Sequence, residues 1–147
     1  MRHGLTRILP YTPAQLFALV GDVERYPQFI RWNTDLRAWN RRPGGEGVIL
    51  MDAEAQVKFS IVRERFATRV RLDEPAMAIE VDLLSGPFRK LENRWRFKPH
   101  PAGCELTFAI DFEFGPRLLE NLFAANFEPA VAKIIGAFER RAKALYG

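Results

Sequence analysis

The chain has 147 residues, of which 48% are hydrophobic and 27% charged, and its net charge is +4. A domain of that length hides roughly 68–70% of its unfolded surface, so wholesale disorder and a fibrous repeat are both excluded. The lone Cys104 excludes an internal disulfide and a zinc cluster, and the longest charge-free run, residues 8–21, is interrupted by Pro10 and Pro13, which excludes a spanning helix there. Residues 1–147 read as one domain, and without the apolar core of a signal peptide the expected location is the cytoplasm, including the surface of the inner membrane. The charge is uneven: residues 1–71 carry 12 Lys/Arg against 7 Asp/Glu, and Arg31, Arg37, Arg41 and Arg42 crowd around Asp35. A basic half steers a protein toward nucleic acid or anionic lipid, although a solvated, solubilising surface is the simpler account.

In chain order, Gly4 to Leu9 reads as an entry strand. Thr12-Pro13-Ala14-Gln15 then starts a helix, with Thr as cap, Pro at the first helical position and Gln three residues after the cap. Gly21 stops that helix, and Asp22 to Tyr26 forms a second short turn ended by Pro27. From Asn33 to Gly115 the period is two. Ile49, Met51, Ala53, Ala55, Val57, Phe59 and Ile61 alternate with polar neighbours in a run long enough to predict a bend or bulge near Ala53–Val57. Further alternating runs centre on Val70, Val81, Trp95 and Phe108, separated by Pro43-Gly44-Gly45, Asp73-Glu74-Pro75, Ser85-Gly86-Pro87 and the loop at 99–103. Such alternation means an antiparallel sheet with one dry and one wet face. After Pro116 the period becomes helical up to Leu145, with Pro129 kinking or breaking the helix. That wide apolar stripe needs a large partner, and the dry face of the sheet supplies it: an α+β architecture, a curved antiparallel sheet around a long C-terminal helix.

Catalytic chemistry is scarce. His3 and His100 are far apart and read as exposed and unemployed; Cys104 follows a turn glycine and reads as a buried structural thiol. No His pair has metal-ligand spacing, and the Gly44–Gly47 turn lacks the residues of a phosphate loop. Asp111 and Glu113 invite an acid/base role, yet parity places them opposite the Phe108, Phe112 and Phe114 face. There they meet the outward set Arg94, Arg96 and Lys98 in solvated ion pairs worth about 0.2–1 kcal/mol each. No catalytic residue and no metal are expected.

What remains is the inward aromatic set, which suits either a plain core or the lining of a site for a flat or prenylated apolar ligand. The runs Leu19-Val20-x-Asp22-Val23-Glu24-x-Tyr26-Pro27-x-Phe29-Ile30, Gly86-Pro87-Phe88-x-x-Leu91-x-x-x-Trp95-x-Phe97, Asp111-Phe112-Glu113-Phe114 and Ala137-Phe138-x-x-Arg141-Ala142 resemble the coenzyme Q-binding protein family. That family lies in the START-like, helix-grip superfamily, with aromatic polyketide cyclases and the bacterial ribosome-association toxin. The resemblance covers essentially the whole chain in order. It implies seven strands, two short helices after strand 1 and a long C-terminal helix. Arg31-Trp32-Asn33 stands where the family reads Pro-Trp-Cys or Pro-Gly-Cys.

The first functional reading is therefore a non-enzymatic binder of ubiquinone or a related prenyl lipid. It would carry its ligand for respiratory electron transport, touch the membrane surface transiently and use no cofactor beyond that bound lipid. The expected lining is Phe29, Trp32, Phe66, Val70, Pro87, Phe88, Trp95, Phe97, Phe112, Phe114, Phe123 and Phe127, with Gly86-Pro87-Phe88 as a lip at the mouth. Few fixed polar partners are expected for the ligand head. The second reading is a ribosome-association factor bound to the large subunit, which the Arg-rich first half suits. The third, an aromatic polyketide cyclase, rests on superfamily kinship alone.

Overall fold

A computed structural model describes residues 1–59, 62–115, 120, 121, 124 and 126–147. Strand β1 (Arg2–Leu9) leads into helix α1 (Pro13–Gly21) and a 3₁₀ helix (Val23–Gln28). Six further strands follow: β2 (Asn33–Gly45), β3 (Val48–Phe59), β4 (Val62–Asp73), β5 (Ala78–Ser85), β6 (Phe88–His100) and β7 (Gly103–Phe114). Helix α2 (Phe127–Tyr146) closes the chain. All seven strands form one antiparallel sheet in the order β1-β7-β6-β5-β4-β3-β2.

Local chemistry accounts for most of this. Thr12 caps α1: its hydroxyl accepts from the Gln15 amide at 3.1 Å, and the Gln15 side chain accepts from the Thr12 amide at 3.0 Å. Both donors would otherwise be orphaned at the helix start. The 3₁₀ helix carries Pro27 inside it and ends at Gln28, one residue beyond the predicted stop. In the β6–β7 hairpin Leu91 pairs with Phe112, Trp95 with Phe108 and Phe97 with Leu106, so odd residues of one strand and even residues of the other share the dry face, as parity predicts. Gly103 turns that hairpin at φ +136; a Cβ there would lie 2.8 Å from the Tyr11 amide nitrogen, so the close approach of the β1–α1 connection requires glycine.

Two expectations change. Strand β3 runs against β4 from Val48↔Asp73 to Phe59↔Val62 without a register shift, so the bulge expected near Ala53–Val57 is not in that pairing. The length is accommodated by the facing strand, where β2 shifts register between Asn33 and Asp35, Trp39 and Arg42, and Pro43 and Gly45. The second change is the last helix. Residues 120, 121 and 124 are helical, Asn126 is a turn, and α2 starts afresh at Phe127. Pro129 thus sits in a first turn, where an N–H has no intrahelical partner to lose. The predicted start at Pro116, with Leu118, Leu119 and Leu122, lies outside the described residues.

Helix α2 buries Val131, Ile135, Ala137, Phe138 and Ala142 against the concave face of the sheet. The Phe138 ring meets Trp95 at 5.1 Å, Tyr26 at 5.2 Å and Phe29 at 5.3 Å, all edge to face. The contact ties sheet, 3₁₀ helix and α2 together.

Candidate functional site

Sheet and helix do not meet everywhere. Two adjoining cavities, each of about 210 Å³, lie between them and share Trp32, Val57, Phe66, Leu91, Ile110 and Ile134 in their walls. The inner one reaches Ala53, Ala55, Thr68, Val70, Trp95, Phe108 and Phe138. Its origin is legible in side-chain size. Ala53 and Ala55 on β3, with Thr68 as the cross-strand partner of Ala53, present short groups toward the helix between the larger Met51, Phe66 and Val70. The outer cavity is walled by Phe66, Phe88, Phe112, Phe114 and Phe127, with exposed Asn126 and Lys133 at its rim. Phe88 is the hub of that wall, with ring centroids 5.2 Å from Phe66, 4.9 Å from Phe112 and 5.8 Å from Phe114.

The residues expected to line a site therefore divide. Trp32, Phe66, Phe88, Phe112, Phe114 and Phe127 surround the outer cavity, and Trp32, Phe66, Val70 and Trp95 border the inner one. Phe29 packs on Tyr26 and Phe138 with the Arg141 guanidinium 5.3 Å above its ring, outside both walls. Phe97 is core: it stacks beside Trp95 and receives the edge of Phe17. Pro87 is exposed and borders neither cavity, whereas the register shift between Phe88 and Lys90 pairs Phe88 with Phe114 and sets it in the outer wall. Phe123 lies outside the described residues.

Three polar side chains in the inner wall escaped the sequence reading: Asn33, Thr68 and Asn93. Thr68 and Asn93 share the inward parity of Val70 and Trp95, so alternation could have found them. Asn93 Oδ1 accepts from Trp95 Nε1 at 3.1 Å, which fixes the indole. Asn33 has the opposite parity to Leu36, yet both border the cavity; the register shift between Asn33 and Asp35 puts them on one face. Among the described residues, polar side chains therefore reach into the inner wall, while those of the outer wall, Asn126 and Lys133, are exposed. Tyr26 also borders the inner cavity; its hydroxyl donates to the Val20 carbonyl, and burial, with the Asp22 charge second, pushes its pKa upward.

Outside the cavities, Asp111 is the ion-pair residue expected, with different partners: Lys90 Nζ at 2.7 Å and Arg2 Nε at 3.0 Å. The Lys90 hydrogen bond holds its carboxyl below the usual range. Arg94 instead pairs with Asp82 at 2.9 Å, because Ala109 is its cross-strand neighbour. His3 is not idle; its Nδ1 lies 3.5 Å from Glu128 of α2. Cys104 is fully buried, and desolvation raises its thiol pKa, as suits a structural thiol. Of the arginine cluster, Arg37 faces Glu54 at 3.9 Å, Arg41 faces Glu24 at 3.5 Å and Arg42 faces Asp52 at 3.3 Å. Among the described residues no helix is long and apolar enough to cross a membrane.

The family model for polyketide cyclase / dehydrase and lipid transport matches residues 9–139. The ribosome association toxin RatA of Rickettsia prowazekii is 37% identical over 94% of this chain and 93% of its own, and that of Escherichia coli K12 is 35% identical over 96% and 86%. A mitochondrial coenzyme Q-binding protein COQ10 homolog B of Xenopus laevis is 29% identical over the whole of this chain and 60% of its own. Among solved structures, an 18 kDa protein from Caulobacter crescentus is 52% identical, with a TM-score of 0.84 over 100% of this chain and 99% of that one. The Zhui aromatase/cyclase of Streptomyces superposes with a TM-score of 0.71 over 100% and 97% at 17% identity, a likeness of fold alone.

Proposed function

The chain belongs to the polyketide cyclase / dehydrase and lipid transport family, and from that premise we propose that it binds a hydrophobic small molecule between sheet and helix without transforming it. Ubiquinone or a related prenyl lipid is the ligand class we favour, carried in support of respiratory electron transport. One observation carries the reading: two adjoining cavities, together ringed by Trp32, Phe66, Phe88, Trp95, Phe112 and Phe127. Flat aromatic walls match a quinone ring, and the open outer cavity gives an isoprenoid tail a way toward the rim. Each buried CH₂ of that tail would contribute about 0.8 kcal/mol. Tyr26 and Lys133 are the ionisable residues among those described in the two walls. Burial, with the Asp22 charge second, raises the Tyr26 pKa, its hydroxyl is engaged by the Val20 carbonyl, and Lys133 sits at the exposed rim, so neither is placed as a base for inner-cavity chemistry. The likeness to the Xenopus coenzyme Q-binding protein points the same way.

The test is extraction and titration. Protein purified without detergent should release a prenylated quinone or similar lipid to solvent, detected by mass spectrometry. Added quinones should quench Trp32 and Trp95, which border the cavities, and leave the exposed Trp39 emission in place. Affinity should rise with tail length until the tail outgrows the cavities. A lipid-free extract together with unquenched tryptophans would refute the reading.

A second reading has its own support, the 31–37% identity to ribosome association toxins. Binding of this chain to the large ribosomal subunit would use the β2 arginines, whose ion pairs are mostly solvent-exposed and weak enough to be exchanged for phosphate contacts. Sedimentation with ribosomal subunits should then fall log-linearly with salt, and alanine at Arg37 and Arg41 should flatten the slope by about two. No cosedimentation at low salt would remove this reading.

A further inference from the structure

Among the described residues of the inner wall, Asn33 carries a buried polar atom with an unmet need. The residue is 8% exposed, and its Oδ1 is buried without a hydrogen-bond partner. Its backbone is held on both sides: the Asn33 amide donates to the Ile30 carbonyl at 3.1 Å, and the Lys58 amide donates to the Trp32 carbonyl at 2.8 Å. These bonds fix the position of the Asn33 backbone at the start of β2, and the inner wall closes over its side chain. An orphaned carbonyl in an apolar interior is costly, and a leucine of nearly the same shape would avoid that cost. The nearest other polar groups of this wall divide the task differently. Asn93 Oδ1 is already engaged by Trp95 Nε1, whereas Thr68 lies on the inward face of β4, one residue beyond Ala67 in the ladder to β5. The outer cavity, by contrast, is walled largely by phenylalanines, and its polar side chains among the described residues are the exposed Asn126 and Lys133.

We propose that Asn33 Oδ1 anchors a hydrogen-bond donor on the ligand, so that the molecule enters hydroxyl-first and leaves its apolar tail in the outer cavity among Phe88, Phe112 and Phe127. This rests on the reading of the interior as a ligand site and adds to it a polarity and a chemical class: a phenol-like or reduced, hydroxyl-bearing head is preferred over one offering only acceptors. The orientation follows from the same asymmetry, since a donor left in the outer cavity would forgo the buried carbonyl of Asn33 and a tail driven inward would bury methylenes against it.

Two probes of one size separate these features: 4-octylphenol, which carries a donor, and 1-fluoro-4-octylbenzene, which does not. Both are titrated into the purified full chain by tryptophan fluorescence. Asn33→Leu should weaken the phenol relative to the fluoro probe by about tenfold, equal to about 1.4 kcal/mol, while the fluoro probe binds the variant at least as well as the wild type. The melting temperature of the ligand-free variant should rise. If both probes change alike, or the phenol preference survives the substitution, the anchor is wrong. Should the variant fail to fold, the Asn33 side-chain ¹³Cγ resonance of the wild-type protein decides: it should move with the phenol and stay with the fluoro probe, and an unmoved resonance overturns the proposal. Binding of both probes without discrimination defeats the anchor and spares the ligand site; binding of neither defeats both.

Discussion

Ala53→Leu distinguishes a ligand cavity from an ordinary core by the sign of a single number. Ala53 is 3% exposed, borders the inner cavity and pairs with Ala38 and Thr68, both small. The cavity of about 210 Å³ has room for several waters at roughly 30 Å³ each, well above what three added carbons need. A leucine side chain that enters it buries three further methylene-sized groups, a gain of about 2 kcal/mol at the transfer value of about 0.8 kcal/mol each, slightly discounted for lost rotamer freedom. For a domain of this size that is a rise of roughly 4–8 °C in melting temperature. If sheet and helix were tightly packed at this point, the same change would overpack the core and cost about 1–3 kcal/mol. The assay is thermal unfolding by circular dichroism on lipid-stripped protein, because bound ligand would itself raise the wild-type melting temperature. A parallel titration with a short-tailed quinone should show binding reduced at least tenfold. A lowered melting temperature would refute the cavity, and a raised one with undiminished binding would show that the ligand does not use its inner half.

Phe88→Ala should weaken ligand binding while costing well under the about 3–5 kcal/mol expected of Trp95→Ala, because Phe88 is only half-buried and Trp95 is 4% exposed; equal losses in denaturant melts, with binding intact, would make Phe88 ordinary core. Asp111 and Asp52 have carboxyl pKa values lowered chiefly by the Lys90 and Asn40 hydrogen bonds respectively. Their contribution is present above the unfolded carboxylate pKa and is lost as pH falls through the folded values, so urea midpoints should drop below about pH 4, and Asp111→Asn should reduce that dependence; an identical acid limb in the variant would contradict the assignment. Cys104 should resist a thiol-specific reagent at pH 8 in the folded protein and react on unfolding, since it is fully buried with a raised pKa; rapid labelling of native protein would show that β7 opens beside β1.

Period and parity travel well from sequence to structure because they are local. The Thr12–Gln15 cap and the shared dry face of the β6–β7 hairpin depend on residues a few positions apart, and each is where the sequence puts it, whereas the break in the last helix falls at Asn126, upstream of the Pro129 that predicts it. Alternation also separates Asp111 from Phe112 and so removes the carboxylates from the interior. Depth is another matter. Phe97 reaches the dry face by parity and Phe88 by the register shift between Phe88 and Lys90, yet one is sealed against Phe17 and Trp95 while the other walls a cavity. That difference is set by what α1 and α2 place opposite them. The inner cavity exists because Ala53, Ala55 and Thr68 become neighbours across β3 and β4, and Asn33 faces it because β2 slips register just beyond it. Where the ladder is regular, a strand's own residues specify which way a side chain points; at Asn33 and Phe88 a register shift decides it. How much space it points into, and whether a polar group there has a partner, depends on elements brought together only when the sheet curls around the helix.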